Sequence, residues 1–209
     1  MTPHYHRKEA SHLRGWMNGR RFFDASAAMA EAEPYHSGFR KDGVTPEFSH
    51  QVAIANHLRT LSLSDDDMRV LLIASFFHDT PEDKGLPVDV ITNTYGERPG
   101  KIVHLMTKKF RGKVVPTETY FADLATDPLA AICKGGDRIH NLSTMMGAFS
   151  QAKQASYCDE SEARHVPMLK RAARRFPAYE APIENLRQTL KLQISLVRAI
   201  HEAGRPAGR

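Results

Sequence analysis

Cysteine is scarce in this sequence, and long hydrophobic runs are absent. The chain has 2 cysteines in 209 residues, too few for a disulfide framework, so we expect a reducing compartment and a cytoplasmic protein. No apolar run approaches the roughly 18 residues that a membrane-spanning helix needs, so we expect no membrane association. The basic residues near the N-terminus are followed by no apolar segment, so we do not expect a secretory signal there.

Alternation of polar and apolar residues, which is typical of β-strands, is also nearly absent. Residues 70–77 are instead apolar almost all round, and they follow a potential N-cap, Ser64, and a run of aspartates. This pattern predicts a central, buried helix that ends near Thr80, because Pro81 disfavours helical geometry in the residue before it. A long amphipathic helix near the C-terminus is predicted from Leu186, Leu190, Ile194 and Val197.

The rest of the chain is also helical in character, so the sequence predicts an all-α protein. Further helices are predicted to begin at Thr45-Pro46-Glu47 and to cover residues 87–95, 101–107, 117–126 and 129–149. We expect a single domain over residues 21–203. It would be preceded by a loose, basic N-terminal extension (residues 1–20) and followed by a flexible tail (residues 204–209).

The excess of positive charge is small, with a formal net charge of +5 and a pI near 9.3. A basic surface attracts polyanions, but this excess is too mild to indicate nucleic-acid binding. It suits a small phosphorylated substrate equally well. We therefore expect a small phosphorylated molecule as partner and no nucleic acid.

Three separated stretches carry residue types that bind divalent cations, and the candidate ligands in them are His50, His78, Asp79 and Asp137. Two imidazoles and two carboxylates without a thiolate suit Mn²⁺, Fe²⁺ or Zn²⁺, with coordination positions left for water. A lone histidine is more often a surface or core residue. The ordered set of three motifs on separate predicted helices therefore carries the prediction of a metal site.

Two further carboxylates, Glu82 and Asp83, lie just beyond the second stretch. On their own they would be read as a solvated helix end. Beside a cation and each other, their pKa values can shift into a range that suits general acid–base catalysis. A bound metal ion lowers the pKa of its water and polarises a phosphoryl oxygen, so the combination indicates metal-assisted hydrolysis.

The motifs resemble those of the metal-dependent HD phosphohydrolases, and within them the hydrolase domain of the RelA/SpoT homologues. The closest likeness is to the stand-alone small alarmone hydrolases, over about residues 36–144, roughly half of the chain. The matches, in the order of the family, are Arg40-Lys41-Asp42-Gly43 shortly before His50, His-Asp-x-x-Glu-Asp at His78–Asp83, a looser Met106-Thr107-Lys108, and finally Lys134, Asp137, Arg138, His140, Asn141 and Thr144.

This resemblance implies an HD-domain helical bundle that removes the 3′-pyrophosphate of ppGpp or pppGpp, giving GDP or GTP. One Mn²⁺ per chain, with Fe²⁺ or Zn²⁺ as alternatives, would be bound by His50, His78, Asp79 and Asp137. The attacking water would be oriented or deprotonated by Glu82 and Asp83. The nucleotide would be contacted by Arg40 and Lys41, and its ribose or phosphate side by Asn141 and Thr144.

Residue types alone do not determine the role of two groups of basic residues. Lys134 and Arg138, one turn apart on a predicted helix, form either a solvated face or a phosphate clamp. We favour the clamp for Lys134 and count it among the predicted substrate-binding residues. Residues 108–113 form either an exposed basic face or a mobile loop over the pocket.

The chain also departs from the family. Gly135-Gly136 replaces a larger residue followed by Ala, and residues 47–51 differ from the usual sequence around the first ligand. Guanine and adenine preference therefore stay open, and (p)ppApp, the 2′-phosphate of NADPH or another nucleotide is an alternative substrate. A non-catalytic nucleotide-binding or antitoxin module is a further alternative. The residues outside the match are too few for a synthetase domain, and the protein is expected to be a monomer or a homodimer.

Overall fold

Helices make up most of the computed structural model, which describes residues 3–204, and the predicted all-α class is confirmed. The predicted tail lies outside the described residues, apart from Gly204. The α-helices are α1 (Pro3–Gly19), α2 (Phe23–Ala32), α3 (Ser49–Leu58), α4 (Asp65–Phe77), α5 (Thr80–Lys84), α6 (Val88–Tyr95), α7 (Glu97–Met106), α8 (Thr117–Leu124), α9 (Pro128–Thr144), α10 (Gln151–Glu160), α11 (Val166–Arg175) and α12 (Glu180–Ala203).

Helix α4 lies at the centre of the bundle, as its apolar run predicts. Its N-cap, Ser64, accepts a hydrogen bond from the Asp67 N–H, and the aspartates of the first turn suit the helix dipole. Leu71, Leu72 and Phe76 are fully buried, because helices α2, α3, α7 and α9 all pack against α4. The helix therefore delivers its C-terminal end to a fixed position inside the protein.

Helix α9 is the second buried element, and it packs against α3, α4, α7 and α12. Asp127 caps it by accepting hydrogen bonds from the N–H groups of Leu129 and Ala130, and Pro128 occupies the first turn. The predicted long C-terminal helix is confirmed as α12, which lies along α9 with Leu186, Leu190 and Ile194 buried. Among the described residues, every helix is too short or too polar to cross a bilayer.

The structure corrects the expectation that the N-terminal residues are loose. Residues 3–19 form α1, which packs against α2 and α3. Its side chains Leu13 and Met17 are fully buried in the core. The charges of this segment thus lie on the outer face of an amphipathic helix, which is part of the folded unit.

Several helix boundaries were predicted wrongly. Helix α7 begins at Glu97, four residues before the predicted start. Helix α3 begins at Ser49 and not at Pro46, because the Asp42 carboxylate binds the backbone N–H of Thr45 at 2.8 Å and also its hydroxyl, which forms a turn. Helix α9 ends at Thr144, five residues before the predicted end at Phe149. The sequence analysis also predicted no helix at α10 or α11 and no π-helical turn such as that at Ser161–His165.

A small antiparallel hairpin was also missed. Strands β1 (Lys109–Phe110) and β2 (Lys113–Val114) pair Lys109 with Val114 and Phe110 with Lys113. Arg111 and Gly112 at its tip have φ angles of 48° and 83°, which a tight two-residue hairpin turn of type I′ requires. Strands of two residues are too short to produce a visible alternation in sequence.

Candidate metal centre and adjoining cavity

The four predicted metal ligands come from three helices that meet near the centre of the bundle. His50 lies in the first turn of α3, and His78 and Asp79 lie in the junction between α4 and α5. Asp137 lies in the middle of α9. All three helices pack on one another, so the packing of the core fixes where these side chains meet.

The distances bring these side chains around one small volume. Ligand atoms of His50, His78 and Asp137 all lie within 4.8 Å of one another, and the three residues are buried. His50 Nε2 is 3.2 Å from Asp137 Oδ1, and His78 Nε2 is 3.8 Å from the same oxygen. Asp79 completes the group, because its Oδ2 lies 3.0 Å from His78 Nε2 and 3.6 Å from His50 Nε2.

His78 gives a direct test of whether these residues suit a cation. Its Nδ1 lies 2.8 Å from the carbonyl oxygen of Ser75, which can only accept, so Nδ1 carries the proton. Its Nε2 is buried and makes no hydrogen bond of good geometry with any described residue, although Asp79 Oδ2 lies 3.0 Å away. In the neutral ring, Nε2 presents a lone pair to the carboxylate oxygens. A divalent cation bound between them would accept electron pairs from both, so these residue types suit a metal ion.

His50 is oriented by a residue to which the sequence analysis assigned no role, His140. The Nδ1 atoms of the two rings are 2.8 Å apart, so one donates and the other accepts. Burial, with the neighbouring His50 and Arg40, lowers the pKa of His140 to about 3, so His140 is neutral and can accept from His50. His50 Nε2 is then left free to face Asp137. The only sequence signal was the place of His140 in the last motif.

Asp137 is held from both sides along its own helix. Lys134, one turn earlier, places Nζ 2.9 Å from Oδ2, and Asn141, one turn later, donates from Nδ2 to Oδ1 at 2.6 Å. Burial alone would raise the pKa of Asp137, but the Lys134 ammonium and the imidazoles hold this pKa well below its ordinary value. Asp137 is therefore ionised and fixed in orientation.

The remaining electrostatics show an excess of negative charge at the centre. Burial lowers the pKa of His78, yet the carboxylates of Asp79 and Asp137 outweigh it and raise this pKa well above its ordinary value. Burial raises the pKa of Asp79, and the charge on His78 outweighs it, which brings this pKa down to about 2. The site thus favours a positive charge among these groups, whether a proton or a metal ion.

The predicted catalytic carboxylates lie on the short helix α5, directly after Asp79. A Glu82 carboxylate oxygen accepts a hydrogen bond from the backbone N–H of Lys108, at the start of the hairpin. Partial desolvation, together with the carboxylates of Asp79 and Glu82, raises the pKa of Asp83. Asp83 is therefore the more basic of the aspartates here, and both exposed side chains stay predictions as catalytic groups.

A cavity of about 290 Å³ adjoins the centre, and it brings together most of the predicted substrate-binding residues. Arg40 Nη2 donates to Asn141 Oδ1 at 3.0 Å and lies 3.4 Å from Thr144 Oγ1. Lys134 is not in this wall, because it turns towards Asp137. Its direct contact with a substrate stays a prediction. The wall of the cavity contains Arg40, Lys41, Asn141 and Thr144 beside His140, Met145, Met146 and Phe149.

Arg138 is an internal anchor of α9, so the structure rules out a solvated face there. It is 8% exposed, and its Nε donates to His165 Nε2 at 3.1 Å. Its guanidinium also pairs with Glu160 and lies 4.9 Å from the Tyr157 ring centroid. These contacts tie the helix that carries Asp137 to the π-helical turn at Ser161–His165.

Comparison with known proteins gives relatives that act on guanosine nucleotides. The chain is 30% identical over 124 residues to a probable GTP pyrophosphokinase of Mycobacterium leprae, a match that covers 56% of this chain and 15% of that protein. It is 28% identical over 152 residues to a probable guanosine-3′,5′-bis(diphosphate) 3′-pyrophosphohydrolase of Synechocystis, covering 69% of this chain and 19% of the relative. These similarities support the resemblance to the RelA/SpoT homologues.

A third relative is the guanosine-3′,5′-bis(diphosphate) 3′-pyrophosphohydrolase of Aquifex aeolicus, 29% identical over 137 residues, which are 63% of this chain and 19% of that protein. The chain thus spans only 15% to 19% of the length of these three curated relatives. Their names describe both the removal and the transfer of pyrophosphate. No family model matches the chain.

Proposed function

We propose that this chain hydrolyses guanosine 3′,5′-bis(diphosphate), and its 5′-triphosphate analogue, to GDP or GTP and pyrophosphate. The observation that carries this proposal is the convergence of the buried His50, His78 and Asp137 on one small volume, with Asp79 beside them. The relatives that are named for this hydrolysis support the same reaction. We further propose that the protein is cytoplasmic.

The proposed ligands of one Mn²⁺ per chain are His50, His78, Asp79 and Asp137, with Fe²⁺ or Zn²⁺ as alternatives. When bound, such an ion lowers the pKa of water and neutralises charge on the phosphoryl oxygens. The chain contributes the orientation of the ligands: Ser75 and His140 fix the two imidazoles, while Lys134 and Asn141 keep Asp137 ionised and in place.

Asp83 is the proposed group that accepts a proton from the attacking water, because partial desolvation and the carboxylates of Asp79 and Glu82 raise its pKa. Glu82 would orient the water and, through Lys108, fix the adjacent hairpin. The nucleoside would occupy the cavity lined by Arg40, Lys41, Asn141 and Thr144, where Arg40 can stack on a base and Lys41 can meet a phosphate.

Hydrolysis is favoured over pyrophosphate transfer by the residues themselves. Transfer of pyrophosphate to an acceptor nucleotide needs a site that excludes water from the reacting phosphate, whereas two imidazoles and two carboxylates around a metal leave coordination positions for water. The relatives carry both activities in their names, so the ligand set and the carboxylates at Glu82 and Asp83 decide the proposed direction.

The test is release of pyrophosphate from guanosine 3′,5′-bis(diphosphate) by Mn²⁺-loaded protein. We expect Asp137→Asn to abolish turnover and Asp83→Asn to lower kcat by about 10²- to 10⁴-fold, the usual range for a lost general base. His104→Ala, which changes an exposed histidine of α7, is the control and should not alter the rate. An unchanged rate in Asp137→Asn would contradict the proposed site.

One observation keeps an adenosine substrate as a second candidate. The stretch that departs from the family around the first ligand reaches the cavity wall through Ser49, so the base preference of this pocket can differ from that of the family. Comparing kcat/KM for the guanosine and adenosine bis(diphosphates), with NADPH as a third substrate, separates the two candidates. If kcat/KM were higher for the adenosine compound, the proposed substrate would be the adenosine bis(diphosphate) and not the guanosine one.

A further inference from the structure

The hairpin of strands β1 and β2 carries an unusual group of free positive charges. Lys109, Arg111 and Lys113 are exposed, and none forms an ion pair with any residue that the structure describes. No acidic residue occurs in residues 108–117. Exposed lysines usually have acidic neighbours on a mixed surface, so a purely cationic hairpin favours an anion as its partner.

The base of the hairpin is fixed against the metal centre. The backbone N–H of Lys108 donates to Glu82, and its Nζ donates to Thr117 Oγ1 at 3.0 Å. The Lys108 ammonium lies 5.9 Å from the Tyr120 ring centroid, and Lys134 Nζ lies 5.8 Å from the same centroid. Lys134 in turn binds Asp137, so Tyr120 joins the hairpin to the wall of the centre.

Helix α9 shows on which side of the metal centre the hairpin lies. Lys134 is one turn before Asp137, on the side of Tyr120 and the hairpin, and Asn141 is one turn after it, on the side of the cavity. Residues seven apart along a helix are about 10 Å apart. The proposed metal centre therefore lies between the nucleoside cavity and the base of the cationic hairpin.

We propose that this hairpin is a phosphate-binding arm for the terminal phosphate of the 3′-diphosphate that is removed. This inference rests on the proposed function, which puts the nucleoside in the cavity and the scissile phosphate at the metal centre. The outer phosphate then extends away from the cavity, towards Lys109, Arg111 and Lys113. The arm selects a diphosphate over a monophosphate and holds the leaving pyrophosphate.

The geometry of the hairpin supports this role. The type I′ turn at Arg111-Gly112 and the hydrogen bond from Val115 N to the Lys108 carbonyl oxygen, at 2.9 Å, hold the short strands in register. Arg111 lies over the Phe110 ring at 5.0 Å, which limits the freedom of its guanidinium. Preorganised cations lose less entropy on binding a phosphate than free side chains do.

The test compares the triple variant Lys109→Gln, Arg111→Gln, Lys113→Gln with wild-type protein. We expect KM for the bis(diphosphate) and the inhibition constant of pyrophosphate each to rise about tenfold or more, because lost charged contacts weaken binding by that order. The kcat should stay within about threefold, since no reacting group is changed. The control, Arg7→Gln, Lys8→Gln, Arg14→Gln, removes the same charge from exposed positions of α1.

If KM and the inhibition constant of pyrophosphate rose equally in both triple variants, the effect would come from net charge alone and the proposed arm would be wrong. The proposal would also be wrong if both constants were unchanged in the hairpin variant. Calorimetric binding of pyrophosphate to Mn²⁺-loaded protein needs no turnover. If the wild-type protein bound pyrophosphate without hydrolysing the bis(diphosphate), and the hairpin variant lost this binding, the hairpin would be a pyrophosphate-binding element but the proposed function would be overturned. If the hairpin variant lost only affinity for a single-stranded RNA, the arm would serve a polynucleotide and the proposal would fail.

Discussion

At the residue scale, three of the four proposed ligands, His50, His78 and Asp137, are oriented by a partner that is not itself a ligand. The carbonyl oxygen of Ser75 fixes the proton of His78, and His140 does the same for His50. Outer partners of this kind determine which ring nitrogen is available and how the ring points. His50 and His78 could be predicted from their motifs, whereas the contact to His140 depends on how α3 and α9 pack.

His140→Ala should weaken Mn²⁺ binding about 10- to 100-fold, the usual cost of removing an outer partner of a metal ligand. The reason is that His50 loses the hydrogen bond at Nδ1 that fixes its ring. Titration calorimetry measures the change. His140→Asn retains a polar acceptor and should recover part of the affinity, while unaltered affinity in His140→Ala would show that His50 is oriented by other contacts.

At the element scale, the centre depends on how closely α3 approaches α9. The Gly135-Gly136 pair, which departs from the family pattern, lies at this contact and at the contact with α12. A Cβ atom on Gly136 would lie 2.9 Å from Leu58 Cδ2 and 3.5 Å from Ile54 Cγ2. A small residue beside Asp137 therefore lets the helix that carries His50 approach closely.

Gly136→Ala should lower the free energy of unfolding by about 1–3 kcal/mol, the usual cost of overpacking a core. It should also weaken metal binding, because α3 must move away from α9. Urea denaturation measures the first effect. Gly15→Ala is a matched control, since it lies in helix α1 with no atom within 4 Å of the added Cβ, and it should stabilise by about 0.5–1 kcal/mol. Equal effects of both substitutions would contradict this packing.

Asp127 should make helix α9 sensitive to acid. Burial raises the pKa of Asp127, but Arg98, the backbone N–H groups and Lys101 outweigh it and lower this pKa. Its stabilising effect is therefore present above the unfolded pKa, near 3.9, and is lost as the pH falls through the folded pKa. Asp127→Asn should flatten this acid limb in thermal unfolding at pH 2–6.

The alanine variant separates the cap from the charge. Asp127→Ala should cost about 1–3 kcal/mol at pH 7, because it removes the N-cap as well as the ion pairs. Asp127→Asn should cost less, since an asparagine still accepts from the N–H groups of Leu129 and Ala130. If both variants kept the acid limb of the wild-type protein, another carboxylate would be responsible for it.

At the scale of the whole molecule, helices with long apolar patterns could be predicted from the sequence, whereas structural features formed by only a few residues could not. The run before His78 predicted α4, and the spacing from Leu186 predicted α12. The hairpin has strands of two residues, and the turn at Thr45 competes locally with a helix start. Helix α1 was missed because its charges were more visible than its narrow apolar face.

Leu13→Ala tests whether α1 belongs to the folded unit. This side chain is fully buried, so its truncation should lower the free energy of unfolding by about 2–5 kcal/mol, the range for a large-to-small change in a core. His12→Ala changes the exposed neighbour and should stay within about 0.5 kcal/mol of wild type. If Leu13→Ala changed the free energy of unfolding as little as His12→Ala does, residues 3–19 would be a loose extension and not part of the folded unit.

The binding of Mn²⁺ to metal-free protein, followed by electron paramagnetic resonance, tests most directly whether the residues of three helices converge on one ion. We expect wild-type protein and the His104→Ala control to bind one tight ion per chain. His78→Ala and Asp137→Ala should lose this tight binding while remaining folded by circular dichroism. Tight stoichiometric binding that survived in both variants would contradict the proposed centre.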